Sequence, residues 1–97
     1  MLTIVQVSEN ELKFIGRFDA SQQQKATEEL STQKETIMID MAGLDYISSM
    51  GLSVLVNTYK RLNATGHTLK LKNLNSHVRD VFKYTRLDQI FEMDDAG

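Results

Sequence analysis

A chain of 97 residues has room for one modest core, and residues 1–97 are expected to form a single globular domain, since 41% hydrophobic and 25% charged side chains is ordinary globular composition. It has no cysteine, which excludes thiolate nucleophiles, disulfide scaffolds, Cys-based zinc sites and iron–sulfur clusters. The net charge of -2 argues against a nucleic-acid binder; with no apolar run near the roughly 18 residues of a membrane span and no signal peptide at the start, a cytoplasmic protein without membrane insertion is expected.

Residues 2–7 (LTIVQV) are rich in β-branched side chains and predict a strand. After the polar turn at residues 8–11, Leu12 to Ile15 predicts a second strand that pairs with the first as an antiparallel hairpin, with Gly16 ending it. Asp19 followed by Gln22 three positions later has the form of a capping box for a helix over about 20–31. That helix has only Ala20, Ala26 and Leu30 as apolar residues, so it is expected on the surface of the sheet. Thr36 to Met41 predicts a buried strand, and Ala42 to Ser49 a loop that ends in a double serine.

From Met50 the pattern changes to a period of 3.6. Leu52, Leu55, Val56, Tyr59 and Leu62 form one helical stripe, and Gly66 suits the left-handed residue after the helix end. Thr68 to Leu71 predicts a strand. Asn75 or Ser76 can open another helix with Val78, Val81 and Phe82 inward, and Leu87, Ile90 and Phe91 form either a short strand or a helical turn. The order predicts an α/β fold: an N-terminal antiparallel hairpin, then parallel strands in a small mixed sheet covered by helices.

Little in this pattern suits an enzyme. The five glycines are isolated, so no phosphate-cradling loop is visible. His67 and His77 lie on different elements without metal-ligand spacing. Ser49-Met50-Gly51 lacks the first glycine of a nucleophile elbow. Asp19, Asp40 and Asp45 could meet at one sheet end, but carboxylates near strand ends usually cap helices or loops. Asp40 as a phosphoacceptor lacks the acidic pair that would hold magnesium. No catalytic residue, metal or cofactor is expected.

The double serine stands apart. One serine suffices to cap a helix, and here two are adjacent, followed by Met50, which lies off the apolar stripe in the first turn. An exposed, flexible methionine beside a hydroxyl suits a protein-binding surface.

The segment Tyr46-Ile47-Ser48-Ser49-Met50-Gly51-Leu52-Ser53 resembles the signature of the STAS domain. That domain is shared by bacterial anti-sigma-factor antagonists, stressosome components and the cytoplasmic tails of sulfate transporters. The resemblance extends to Gly16-Arg17-Phe18-Asp19, to Ile37–Asp40 with Leu44–Ile47 after it, and to Val78–Phe82 with Leu87 and Ile90–Phe91. In the antagonists the signature is roughly Asp-Ser-x-Gly-Leu-Gly, and its serine is phosphorylated by a kinase that is also the anti-sigma factor. Ser49 falls on that serine, with Ser48 a second candidate acceptor in the place of the family's aspartate and Ser53 in the place of its second glycine. The residues after Phe91 leave little room for the final helix of some antagonists.

The resemblance implies a bacterial anti-sigma-factor antagonist, a protein substrate rather than an enzyme, that takes part in transcription regulation by partner switching. Its partner would be an anti-sigma factor with a histidine-kinase-like serine kinase fold, with a serine phosphatase as an optional further partner. The binding face would combine Arg17, Asp19, Ser48, Met50, Gly51 and Leu52, because loops beyond parallel strand ends gather on one rim of a sheet. The alternative is a constitutive, unphosphorylated STAS subunit of a larger assembly, such as a lipid-transport ABC complex or a stressosome. A small-molecule or nucleotide-binding domain is a third reading, against which the missing glycine-rich loop counts.

Overall fold

The computed structural model describes residues 1–94. Five strands form one sheet in the order β1 to β5: β1 Leu2–Ser8, β2 Glu11–Phe18, β3 Ile37–Ile47, β4 Leu69–Lys72 and β5 Glu92–Asp94. β1 and β2 are antiparallel, and every later neighbour pair is parallel. Three α-helices, α1 Gln23–Ser31, α2 Ser49–Asn63 and α3 Ser76–Tyr84, lie on the face of the sheet where the buried side chains converge. This is the α/β architecture that the order of apolar periods predicts.

Alternation sorts the strand residues between the two faces. Leu12, Phe14 and Phe18 of β2, Ile37 and Ile39 of β3, and Leu69 and Leu71 of β4 point inward and are buried. Phe14 and Phe18 meet edge to face at 5.7 Å. The other face is open, and its polar side chains pair across strands, Lys72 with Glu11 at 3.1 Å and Lys70 with Glu92 at 3.3 Å. The stripe on α2 faces the core through Leu52, Leu55 and Leu62, with Val54 and Thr58 buried beside them. The buried arc is therefore wider than the predicted stripe. Thr58 is tolerated in it because its hydroxyl donates to the Val54 carbonyl at 2.8 Å. Gly66 has φ +83° after the helix end, as its position suggests.

Four boundaries differ from those the sequence predicts. Gly16 does not end β2; it lies inside the strand at φ +102°. There Arg17 N–H donates to the Met1 carbonyl at 2.9 Å, and a Cβ on residue 16 would sit 2.3 Å from that oxygen. The strand continues because glycine alone accepts this conformation without strain. Gly16→Ala is expected to lower stability by more than about 1 kcal/mol, read as a lower urea midpoint at unchanged slope.

The second difference is larger. Residues 42–47 are not loop but the second half of β3. Lys13 faces Asp40 while Ile15 faces Gly43, and Gly16 faces Leu44 while Arg17 faces Tyr46, so β3 carries an extra residue at each of two places. Buried positions run 37, 39, 41, then 44 and 47. Two bulges break the period of two, and with it the strand signal.

The third is in α1. Residues 20–22 form a separate 3₁₀ turn, and Ala20 is exposed, so only Ala26 and Leu30 bury. The fourth is at the C-terminal end: the cluster of Leu87, Ile90 and Phe91 begins with a 3₁₀ turn at Leu87–Gln89, and the strand β5, Glu92–Asp94, follows only after Phe91, which is buried against Tyr59 and Phe82. Residues 95–97, where the tail was expected to leave little room for a final helix, lie outside the described residues.

Candidate functional site

Parallel pairing brings the C-terminal ends of β2 and β3 together, with Phe18 opposite Ile47. The segments that leave these two strands are therefore neighbours in space. Ser48 N–H donates to the Phe18 carbonyl at 2.9 Å, which ties the start of α2 to the corner at Asp19.

On the β2 side, Asp19 caps the 3₁₀ turn. Its Oδ1 accepts from the Ser21 hydroxyl at 2.6 Å and from Ser21 N–H at 3.0 Å, while Gln22 Oε1 accepts from Asp19 N–H at 3.0 Å. The Ser21 hydroxyl first, and the Ser21 N–H second, hold the Asp19 carboxyl below its ordinary pKa. Asp19 is thus a capping anion, ionised at neutral pH. Arg17, exposed on the open face, lies over the Tyr46 ring at 4.3 Å, a cation–π contact that holds its guanidinium beside β3. The pairing of Arg17 with Tyr46 depends on both bulges of β3, so it has no signature in the sequence.

On the β3 side the two serines divide their tasks. Ser48 is the N-cap, in extended backbone conformation, and its Oγ accepts from Gly51 N–H at 3.2 Å. Ser49 is the first helical residue and is exposed, and its hydroxyl makes no hydrogen bond with the described residues. Met50 is 37% exposed. No acidic side chain stands in the first turn of α2. Ser48→Ala is expected to lower stability by about 1 kcal/mol, measured by chemical denaturation, through loss of the cap.

Gly51 and Leu52 occupy a different position from the one expected of binding residues. Both are buried. A Cβ at Gly51 would come within 2.9 Å of Ile47 Cγ1 and 3.0 Å of the Phe18 carbonyl oxygen. The glycine lets α2 settle onto the strand ends, and Leu52 anchors the first turn in the core. These two residues set the position of the serines: Gly51 packs against Phe18 and Ile47, and Leu52 is buried in the core and reaches the surface only at the floor of the groove beside Ser49. Of the six expected rim residues, Arg17, Asp19, Ser48 and Met50 come to the surface.

Beside Ser49 a groove of about 350 Å³ opens between α2 and the corner after α3. Ser53, Asn57 and Thr85 line it with Ser49, over Leu52 and Leu87. Ser53 Oγ–H donates to the Ser49 carbonyl at 3.1 Å. Asn57 and Thr85 carry no motif; Asn57 follows Ser53 by one helical turn, but Thr85 arrives only through tertiary packing.

The three acids that could have met at one sheet end do not. Asp40 lies seven residues before Ile47 on β3, about 20 Å away at strand spacing. Burial is the strongest single influence on its carboxyl and acts to raise the pKa. The Ala42 N–H, the Asn73 amide, and the charges of Lys72 and Lys13 together outweigh it, so the net direction is down. Oδ1 accepts from Ala42 N–H at 2.9 Å and from Asn73 Nδ2 at 3.0 Å, which makes Asp40 a tie between β3 and the end of β4.

Among curated proteins the chain is similar to BtrV of Bordetella bronchiseptica, described as a candidate anti-sigma factor antagonist. The two are 40% identical over 55 residues, which cover 57% of this chain and 47% of BtrV. It is also similar to the anti-sigma-B factor antagonist of Bacillus subtilis, at 33% identity over 64 residues, 66% of this chain and 59% of that protein. The matched stretch therefore spans less than two thirds of either relative. A solved structure of the Bacillus cell fate determinant SpoIIAA in its phosphorylated form superposes with a TM-score of 0.74, covering 100% of this chain and 92% of SpoIIAA, and at 20% identity that likeness is one of fold. The family model of the STAS domain matches residues 12–96, from inside β2 past the last strand, and the chain belongs to the STAS domain family.

Proposed function

We propose that this chain is an anti-sigma factor antagonist whose binding to an anti-sigma factor is switched by phosphorylation of Ser49. The observation that carries this reading is the division of labour at the start of α2: the Ser48 hydroxyl is committed to the cap, and the Ser49 hydroxyl is exposed and uncommitted. The likeness to BtrV and to the anti-sigma-B factor antagonist adds support, as does the phosphorylated state of SpoIIAA. The partner in this reading is an anti-sigma factor with a histidine-kinase-like fold that also acts as the serine kinase. It moves the γ-phosphoryl group of ATP to Ser49 Oγ, releases ADP and takes up the hydroxyl proton.

Electrostatics make such a mark a switch of binding rather than of folding. Phosphate adds about -1.5 to -2 charges at pH 7. At Ser49 it stands at the positive end of the α2 dipole, beside unpaired N–H groups, an interaction worth about 0.3–1 kcal/mol in favour of the fold. A partner that packs over Ser49 and Met50 must desolvate that dianion, which costs several kcal/mol when no countercharge meets it. Each 1.4 kcal/mol is about tenfold in affinity, so the penalty on binding exceeds the gain in folding.

The test is phosphorylation of the whole chain by its cognate kinase anti-sigma factor with ATP, followed by phosphosite mapping by mass spectrometry. Phosphate is expected on Ser49, and Ser49→Ala is expected to bind the kinase without becoming labelled. Phosphate on Ser48 alone overturns the choice of residue. Labelling of neither serine overturns the switch and favours a constitutive STAS subunit of a larger assembly.

A further inference from the structure

We propose that the free edge of β1 is a self-association surface, on which β1 of a second copy of this chain pairs antiparallel about a two-fold axis at Val5. β1 is an outer strand of the sheet, paired among the described residues only with β2. Its sequence, LTIVQVS, contains no charged residue and no proline. Native edge strands are commonly protected by charges, prolines or bulges, and the central part of this one has none of these. The register shift of β1 falls after Gln6.

The main-chain geometry selects the pairing. Arg17 N–H donates to the Met1 carbonyl, so Met1, and by alternation Thr3 and Val5, direct their main-chain groups toward β2. Leu2, Ile4 and Gln6 then direct theirs toward the open edge. Lys25 Nζ takes the Leu2 carbonyl at 2.7 Å, which closes that end. The Gln6 side chain folds back to the Ser8 carbonyl at 2.6 Å, which closes the other. Between these two covers, alternation turns the N–H and C=O groups of Ile4 and Gln6 away from β2, and no hydrogen bond from outside the sheet ladder reaches them among the described residues.

This open window is self-complementary. Two antiparallel copies centred on Val5 place Ile4 opposite Gln6 of the second copy and Gln6 opposite its Ile4, so each N–H meets a carbonyl. Val5 then faces Val5 of the second copy as a non-hydrogen-bonded pair, and Thr3 faces its Val7, all on the open side of the sheet. Val5 is 40% and Val7 is 52% exposed, and this pairing covers apolar surface on both. No like charges oppose each other, because the strand carries none. A strand of seven residues covers less than the roughly 1,000 Å² that a stable specific interface clears, so the dimer is a weak one that forms at high protein concentration.

The experiment uses the full chain in sedimentation equilibrium up to about 1 mM, with Val5→Lys as the disrupting variant and single-cysteine variants as geometric probes. The chain has no native cysteine, so each introduced thiol reports alone. A non-hydrogen-bonded pair has Cα atoms about 4.5 Å apart, inside the range a disulfide spans. Val5→Cys is therefore expected to form a disulfide dimer under mild oxidation, and Thr3→Cys, which faces Val7 rather than itself, is not. Val5→Lys is expected to weaken association at least tenfold, with far-ultraviolet circular dichroism and Tm showing that it still folds. A chain that stays monomeric at about 1 mM overturns the proposal. So does a dimer that survives Val5→Lys, or one that cross-links equally through Thr3→Cys, since association then uses another surface or register.

Discussion

Ser49→Asp is expected to weaken binding to the anti-sigma factor by about a hundredfold or more while leaving the fold intact. The residue is exposed in the first helical turn, and no acid shares that turn, so a new carboxylate meets the favourable end of the helix dipole without local repulsion. Tm is therefore expected to stay the same or to rise by a few degrees, given that about 1 kcal/mol moves Tm by roughly 4–8 °C in a domain of this size. In the proposed reading, a partner that packs over Met50 meets the same charge under different conditions, because it has to remove water from the carboxylate. Ser49→Ala carries no charge and is expected to bind like the unmodified chain. Met50→Lys is expected to weaken binding without lowering Tm, as its side chain lies at the surface. Calorimetric titration with the anti-sigma factor, beside thermal melts of each variant, separates the two effects. A Ser49→Asp variant that binds normally, or one that loses binding only in proportion to lost stability, contradicts the switch.

Leu55→Ala is expected to have the largest effect on stability, a loss of about 2–5 kcal/mol. Leu55 is fully buried on the inward side of α2, within one core with Phe14, Phe18 and Ile39. Truncation removes its transfer free energy and leaves a cavity that close-packed neighbours only partly fill. Against a total stability of about 5–15 kcal/mol, such a loss lowers Tm by about 10 °C or more. Chemical denaturation at unchanged slope is the appropriate measurement. A loss well under 1 kcal/mol would mean that Leu55 does not pack in the core.

The contrast between Leu55 and Met50, five residues apart on one helix, was legible in the sequence because helical period is local. A 3.6-residue repeat decides which side of α2 is apolar before any other element is known. The same is true of the capping box of Asp19 with Gln22, which acts across three positions; which of two adjacent residues caps α2 and α3 (Ser48 with Gly51, and Asn75 with Val78) was decided by the structure. The double serine stood out for the same reason, as two hydroxyls where one cap needs only one, while the preference for Ser49 over Ser48 came from the STAS resemblance.

The features that the sequence did not reveal depend on residues distant in the chain. The second half of β3 was illegible because two bulges, set by pairing with β2, disrupt its alternation. Gly16 looked like a strand terminator until its neighbour, the Met1 carbonyl, gave it a place inside the ladder. The helical period already turns Leu52 inward, but Gly51 belongs to the signature that also contains Ser49, and adjacency alone could not show that it packs against the strand ends. Only the approach of Phe18, more than thirty positions earlier, makes Gly51 a packing residue and Ser49 a presented one. By itself the sequence determined the local elements, the capping box and the apolar face of α2, because those arise from contacts within a turn or two of chain. Tertiary structure decided the length of β3, the place of Gly16 inside the ladder and the packing of Gly51 against Phe18, because these depend on long-range pairing that local periodicity does not encode.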